Sequence, residues 1–292
     1  MNTIDALISL VLALIMFGIG ASLKVADFKT MFEDKKAFLT GLVFQMLFLP
    51  LFAFLITYFS DLSPAWKVGL FIIAICPGGT TSNFISYIVR ADTALSIALT
   101  SINSLLILFS IPLLSNFALN FFIENQSTIS VSITETFFQV LFILILPAAL
   151  GVLFNEKCST FSKTIGKPLK YINTLLLALV FGIKFFGSKA SGGSGILTED
   201  ILTLLPYCLL LHIGAMVISY NYAKFTKINK LQSTTIGIEV GLQNTTLAIL
   251  VTGTLIGNNE MTKPALVFAM FSFFTTLGFA TFTMRKEFFN KT

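Results

Sequence analysis

A chain of 292 residues that is 55% hydrophobic and only 11% charged, with a mean hydropathy of +0.88, is not an ordinary soluble domain but a polytopic membrane protein. Its formal charge of +5 does not point to nucleic acid, because the basic residues sit in short loops between apolar stretches and form no patch interleaved with aromatics. Cys76, Cys158 and Cys208 are scattered and make no CxxC, which argues against a disulfide framework or a zinc site and leaves them as packing residues.

A bilayer core of about 30 Å is crossed by a helix of about 20 apolar residues, and nine stretches of this sequence meet that requirement. The first, residues 4 to 23, lacks a basic n-region and an A-x-A site and is read as a retained helix rather than a signal peptide. Residues 37 to 59 carry a lone Gln45, and residues 64 to 89 are interrupted by Pro77, Gly78 and Gly79. Residues 93 to 117, 134 to 155 and 166 to 187 follow, then the linker GSKASGGSG, read from its Gly/Ser content as a solvated connection. Residues 200 to 222 hold the sole histidine, His212, read as a packed or hydrogen-bonded core residue because no second His stands with it. Residues 231 to 255 are interrupted by Gly237 and Gly241 around Glu239, and residues 262 to 284 complete the set. The 32 phenylalanines are read as lipid-facing bulk.

Under strict alternation, 15 of the 19 basic residues fall on the side that also holds the C-terminus; only Lys67, Lys184, Lys189 and Lys263 fall on the other. Lys and Arg accumulate on the cytoplasmic side, so the N-terminus is expected outside and the C-terminus in the cytoplasm. Counting either interrupted stretch as two crossings would spoil the alternation. Each is therefore read as one crossing with an unwound middle.

Glu239 alone among the 14 acidic residues falls deep inside an apolar span. A carboxylate there costs about 2.5 kcal/mol or more even on mild scales, and such residues face a polar cavity or an ion. At the other interruption, CPGGTTSNFISYIVR, proline removes a donor and the glycines permit non-helical backbone. Taken alone, that break is equally a kink recapped by Thr80, Thr81, Ser82 and Asn83. The second break lies in a corresponding place, with Ser82-Asn83 aligned to Gln243-Asn244. Paired interruptions in two halves point to a transporter built from inverted repeats, with substrate and ions at the crossing near the midplane. Thr93, Ser96, Thr100 and Asn103 recur at spacings of three, four and three, on one face of a helix. These residues supply neutral oxygens and one carboxylate, which suits a hard cation better than a soft metal. Each Ser, Thr, Gln or Asn taken singly is equally compatible with helix-to-helix bonding.

With CPGGTTSN, TALSIALTS and EVGLQN in order, the chain resembles the bile acid:sodium symporter family over essentially its whole length, in the nine-span form. The resemblance implies a sodium-coupled symporter, not an enzyme, in the plasma membrane, importing a small or amphipathic organic anion by alternating access. It implies no cofactor, with two sodium ions as coupling ions. A first sodium site would be formed by Ser82, Asn83, Ser96, Thr100 and Glu239. A second would be formed by Gln45, Glu239 and Gln243 with the backbone carbonyls of Val240 and Leu242. It further implies a panel domain of residues 1–23 and 134–190 and a core domain of residues 24–133 and 191–292, with the substrate in the crevice between them. Half-helix N-termini favour anions, which places a substrate carboxylate near Thr80, Thr81 and Asn244. Many relatives carry a His-Asn pair where this chain has Thr275 and Thr276, so a pantoate-like carboxylate is as compatible as a bile acid. The rival readings are a proton-coupled organic anion carrier, an arsenite-type efflux carrier of similar fold and a passive channel. An intramembrane enzyme is disfavoured because no paired carboxylates or nucleophile-base pair occur.

Overall fold

The computed structural model describes residues 34–123, 146–157 and 193–285, with isolated positions among 10–21, at 142 and among 175–187. The spans expected at 4–23 and 166–187, most of that at 134–155, and Cys158 lie outside the described residues, and with them most of the expected panel. The described residues form helices α1 (Lys35–Phe59), α2 (Pro64–Ile75), α3 (Thr80–Ile88), α4 (Thr93–Phe122), α5 (Leu146–Lys157), α6 (Thr198–Phe225), α7 (Lys230–Gly241), α8 (Thr245–Leu255) and α9 (Asn259–Thr283). Both expected breaks are present, between α2 and α3 and between α7 and α8.

Local chemistry sets where these helices start. Asp34, Ser63, Asp92, Asn229, Asn244 and Asn258 each turn a side-chain oxygen onto an amide of the first turn of α1, α2, α4, α7, α8 and α9. Pro64 adds its fixed φ at the start of α2. Within α1, Phe44–Phe48 widen to a π turn in which the Leu49 amide reaches back to Phe44 O. Pro50 follows directly; it offers no amide to the carbonyl four residues back and its ring crowds that carbonyl, so the ladder shifts by one residue.

Three sequence expectations need correction. Gly237 does not interrupt its helix: α7 runs unbroken through Gly237 and Glu239, and the break comes at residues 242 to 244. A helical glycine costs only about 1 kcal/mol, and here it permits close packing, since a Cβ would lie 3.2 Å from Met216 O and 3.1 Å from the Phe279 ring. The span expected to be unbroken at 93–117 extends to Phe122 and bends by 60° between Thr93–Ile107 and Phe109–Phe122. Pro112 lies four residues beyond Leu108 and leaves that carbonyl without its amide. The linker, expected to be solvated, ends buried at Gly193 and Ser194, because Gly193 has no side chain to hold it off the Gly187 backbone.

α7 sits at the centre, packed against α1, α3, α4, α6 and α9, and every residue from Gln232 to Gly241 is buried. α2 is similarly enclosed from Val68 to Ile75, chiefly by α9, α1 and α4. Where α2, α6 and α9 begin, buried Lys263 pairs with Asp200 at 2.9 Å and Glu260 at 2.6 Å and lies over the Trp66 ring. Large apolar side chains such as Leu47, Leu51, Phe109 and Leu202 point outward, as lipid-facing surfaces require.

Candidate functional site at the crossing of two broken helices

The two breaks touch. Gly78 and Gln243 form an isolated antiparallel bridge, and the Asn244 amide donates to Pro77 O at 2.9 Å. Unwound backbone at membrane depth must find partners inside the protein, and each break supplies them to the other. The end of α2 and the end of α7 therefore meet the starts of α3 and α8 at one place.

Glu239 stands in the last turn of α7, 1% exposed, with its carboxylate against the first break. The hydroxyls of Ser96 and Thr100, one turn apart on α4, reach its two oxygens, Ser96 to Oε1 and Thr100 to Oε2 at 2.9 Å. The same two hydroxyls approach Asn83 Oδ1 at 2.7 and 3.2 Å. Five oxygens thus share two hydroxyl protons, and each hydroxyl can donate only once. Such a surplus of acceptors around a carboxylate suits a hard cation bound by oxygen. Ser82, also buried, donates to Gly79 O at 2.6 Å at the start of α3, and its hydroxyl lies beside the Glu239 carboxylate.

The second group also comes together, with amide donors turned onto its oxygens. Gln45 Nε2 donates to Gln243 Oε1 at 2.7 Å and to Cys76 O at 3.0 Å, while Gln243 Nε2 donates to Val240 O at 2.7 Å and Glu239 O at 3.3 Å. For a cation to use these oxygens, both carboxamides must rotate. Leu242 lies at the break itself, its side chain packed with Ile85, Val89 and Ile238.

On the outward side of the crossing Thr81 is exposed and Asn244, Thr245 and Thr246 are half-buried. Gly79 has no side chain to cap α3; the Ser82 amide donates to Gly79 O at 3.1 Å, and the amides ahead of it have no side-chain cap. Asn244 Oδ1 accepts from the Leu247 amide at 3.0 Å, capping α8, so its Nδ2 is the atom that remains for an anion. The Thr80 side chain lies outside what is described.

His212, read from sequence as a core residue, has a more specific place. Its Nδ1 faces Gly241 O at 2.9 Å and its Nε2 faces Thr275 Oγ1 at 2.7 Å. A carbonyl only accepts, so Nδ1 carries hydrogen and a neutral ring accepts the threonine hydroxyl. One buried side chain thereby joins α6 to the end of α7 and to α9. No sequence signal links positions so far apart, although the sole histidine, set in an apolar span, marked the place.

A family model described as the sodium bile acid symporter family matches residues 9–191. The chain is 28% identical over 253 residues to the probable sodium/metabolite cotransporter BASS1, chloroplastic, of Oryza sativa subsp. japonica, covering 86% of this chain and 59% of that protein. It is 29% identical over 248 residues to the uncharacterized sodium-dependent transporter YocS of Bacillus subtilis (strain 168), covering 84% of this chain and 73% of YocS. To the ileal sodium/bile acid cotransporter of Homo sapiens it is 25% identical over 248 residues, covering 84% and 68%. The chain spans about three fifths of the plant relatives' length, 59% and 61%.

Proposed function

The chain belongs to the sodium bile acid symporter family, and from that premise we propose that it is a sodium-coupled transporter that imports an organic anion by alternating access. The observation that carries this reading is the oxygen cluster at the crossing: a buried carboxylate on one broken helix, an amide oxygen on the other and two hydroxyls on a third helix. Ser82, Asn83, Ser96, Thr100 and Glu239 hold one sodium ion. Gln45, Glu239 and Gln243, with the carbonyls of Val240 and Leu242, hold a second after the carboxamides turn. The organic anion, small or amphipathic, sets its carboxylate at the start of α3 near Thr80, Thr81 and the Asn244 Nδ2, where uncapped amides and the positive end of the helix favour it.

Residues 1–23 and 134–190 act as a panel against which the core, residues 24–133 and 191–292, rocks. The protein lies in the plasma membrane with its N-terminus outside. Uptake of radiolabelled carboxylates into proteoliposomes, with an inward sodium or potassium gradient, tests the proposal. Accumulation in sodium alone supports it, whereas accumulation that follows a pH gradient without sodium overturns it in favour of proton coupling.

A further inference from the structure

Asn103 lies one turn beyond Thr100 on α4, is 1% exposed, and has no hydrogen-bond partner among the described residues for either Oδ1 or Nδ2. Buried polar groups are almost always partnered, and one left alone destabilises the fold. Other unpartnered buried atoms here include serine hydroxyls, such as those of Ser110 and Ser115, which can turn onto a carbonyl of their own helix. A carboxamide NH2 can do the same, as Asn221 Nδ2 does to Val217 O at 2.8 Å, but Oδ1 of Asn103 finds no free donor along its own helix, where the amides are already bonded.

Its position is defined by neighbouring contacts. At about 100° per residue, Asn103 stands within about 20° of Ser96 around α4 and about 10 Å further along the axis, so it shares the face that turns Ser96 and Thr100 toward Glu239. Helices α1 and α4 run the same way, since Gly41 meets Leu99 at one level, where a Cβ would lie 2.6 Å from Leu99 Cδ1, and Phe54 meets Phe117 and Phe122 at 5.8 and 6.0 Å further on. Four residues beyond the first contact, about 6 Å, come Gln45 on α1 and Asn103 on α4. Both stand at the depth of the crossing. Helix α2 packs against both of these helices and ends at Ile75, and the adjoining Cys76 carbonyl already accepts from Gln45. The negative end of a helix favours a cation there.

We propose that Asn103 Oδ1 is a further oxygen ligand for the cation served by Gln45 and Gln243. The inference rests on the reading of the crossing as a sodium site. Its unpartnered carboxamide is kept in the core because the ion satisfies it, and the ion then bridges α1, α4 and α7 instead of α1 and α7 alone.

The test uses purified full-length protein without substrate, its thermal stability titrated with sodium chloride against a potassium chloride control. Asn103→Leu is close in volume and removes both orphaned atoms. It should keep or raise Tm in potassium while raising at least tenfold the sodium concentration that gives half-maximal stabilisation. Asn103→Asp keeps an oxygen at the same place and should retain the sodium response. A leucine variant with the wild-type sodium midpoint would show that Asn103 holds only structural water and would overturn the proposal. Should the leucine variant fail to fold, an aspartate variant that folds without a sodium response overturns it equally. Wild-type protein with the same Tm in sodium and potassium would remove the sodium site itself, a separate outcome because it needs no variant.

Discussion

A Cβ built on Gly78 would overlap Oε2 of Glu239, closer than any real side chain could sit. The carboxylate from one broken helix thus rests on the bare backbone of the other. Gly78→Ala must push Glu239 away from Ser96 and Thr100, or force the first break away from Gln243. We expect the sodium midpoint for thermal stabilisation to rise at least tenfold, about 1.4 kcal/mol. An alanine variant with an unchanged midpoint would mean that the carboxylate does not bind the ion in this position.

Ser96→Ala and Thr100→Ala each remove one of the oxygens around Glu239. A site that replaces an ion's hydration shell depends on its oxygen count, so each should weaken the sodium response severalfold and leave the stability in potassium within about 1 kcal/mol of wild type. The readout is Tm across a sodium titration. Equal sodium responses in wild type and both variants would reduce the polar stripe to helix packing.

Glu239→Gln preserves size and removes the fixed negative charge. With two sodium ions and a monovalent anion, each cycle moves one net positive charge inward, and the membrane potential adds about 2.3 kcal/mol per 100 mV to accumulation. Wild-type uptake should therefore rise with an imposed inside-negative potential, and the glutamine variant should lose concentrative uptake. Indifference to potential, or a variant that still concentrates substrate, argues for electroneutral coupling.

The bond from His212 Nδ1 to Gly241 O satisfies a carbonyl that has no helical partner at the end of α7. His212→Ala strands that carbonyl, at a cost of about 1–3 kcal/mol, while the Thr275 hydroxyl keeps Phe271 O at 3.0 Å. His212→Asn keeps a donor near the same place and should recover part of the loss. Tm of the two variants in potassium and in sodium decides it, and equal values for alanine and wild type would remove the role.

Cysteine labelling checks the orientation. Ser191→Cys should react with an impermeant reagent on intact cells, and Lys227→Cys only after permeabilisation. The reverse pattern would invert the topology inferred from the basic residues.

Hydropathy located the ends of α1, α2, α6, α8 and α9 to within a few residues, and Pro77, Gly78 and Gly79 located the first break, because these are local properties. Apolar length decides whether a segment enters a membrane, and proline and glycine act on the backbone where they stand. The oxygen-bearing residues around Glu239 were legible for a related reason: polar side chains are so costly in an apolar span that each one draws notice. What the sequence left open was which group satisfies which. Gly237 reads as a breaker but serves as a packing surface, and Gly78 reads as a loosened turn but is the floor beneath a carboxylate. Asn244 spends its oxygen on its own helix, and Asn103 has no partner among the described residues, although both look alike as polar residues in apolar runs. Ser96 meets Glu239 across 143 residues and Gln45 meets Gln243 across 198. Only the packing of α1, α4 and α7 around the crossing brings them within bonding distance, and no local preference encodes that.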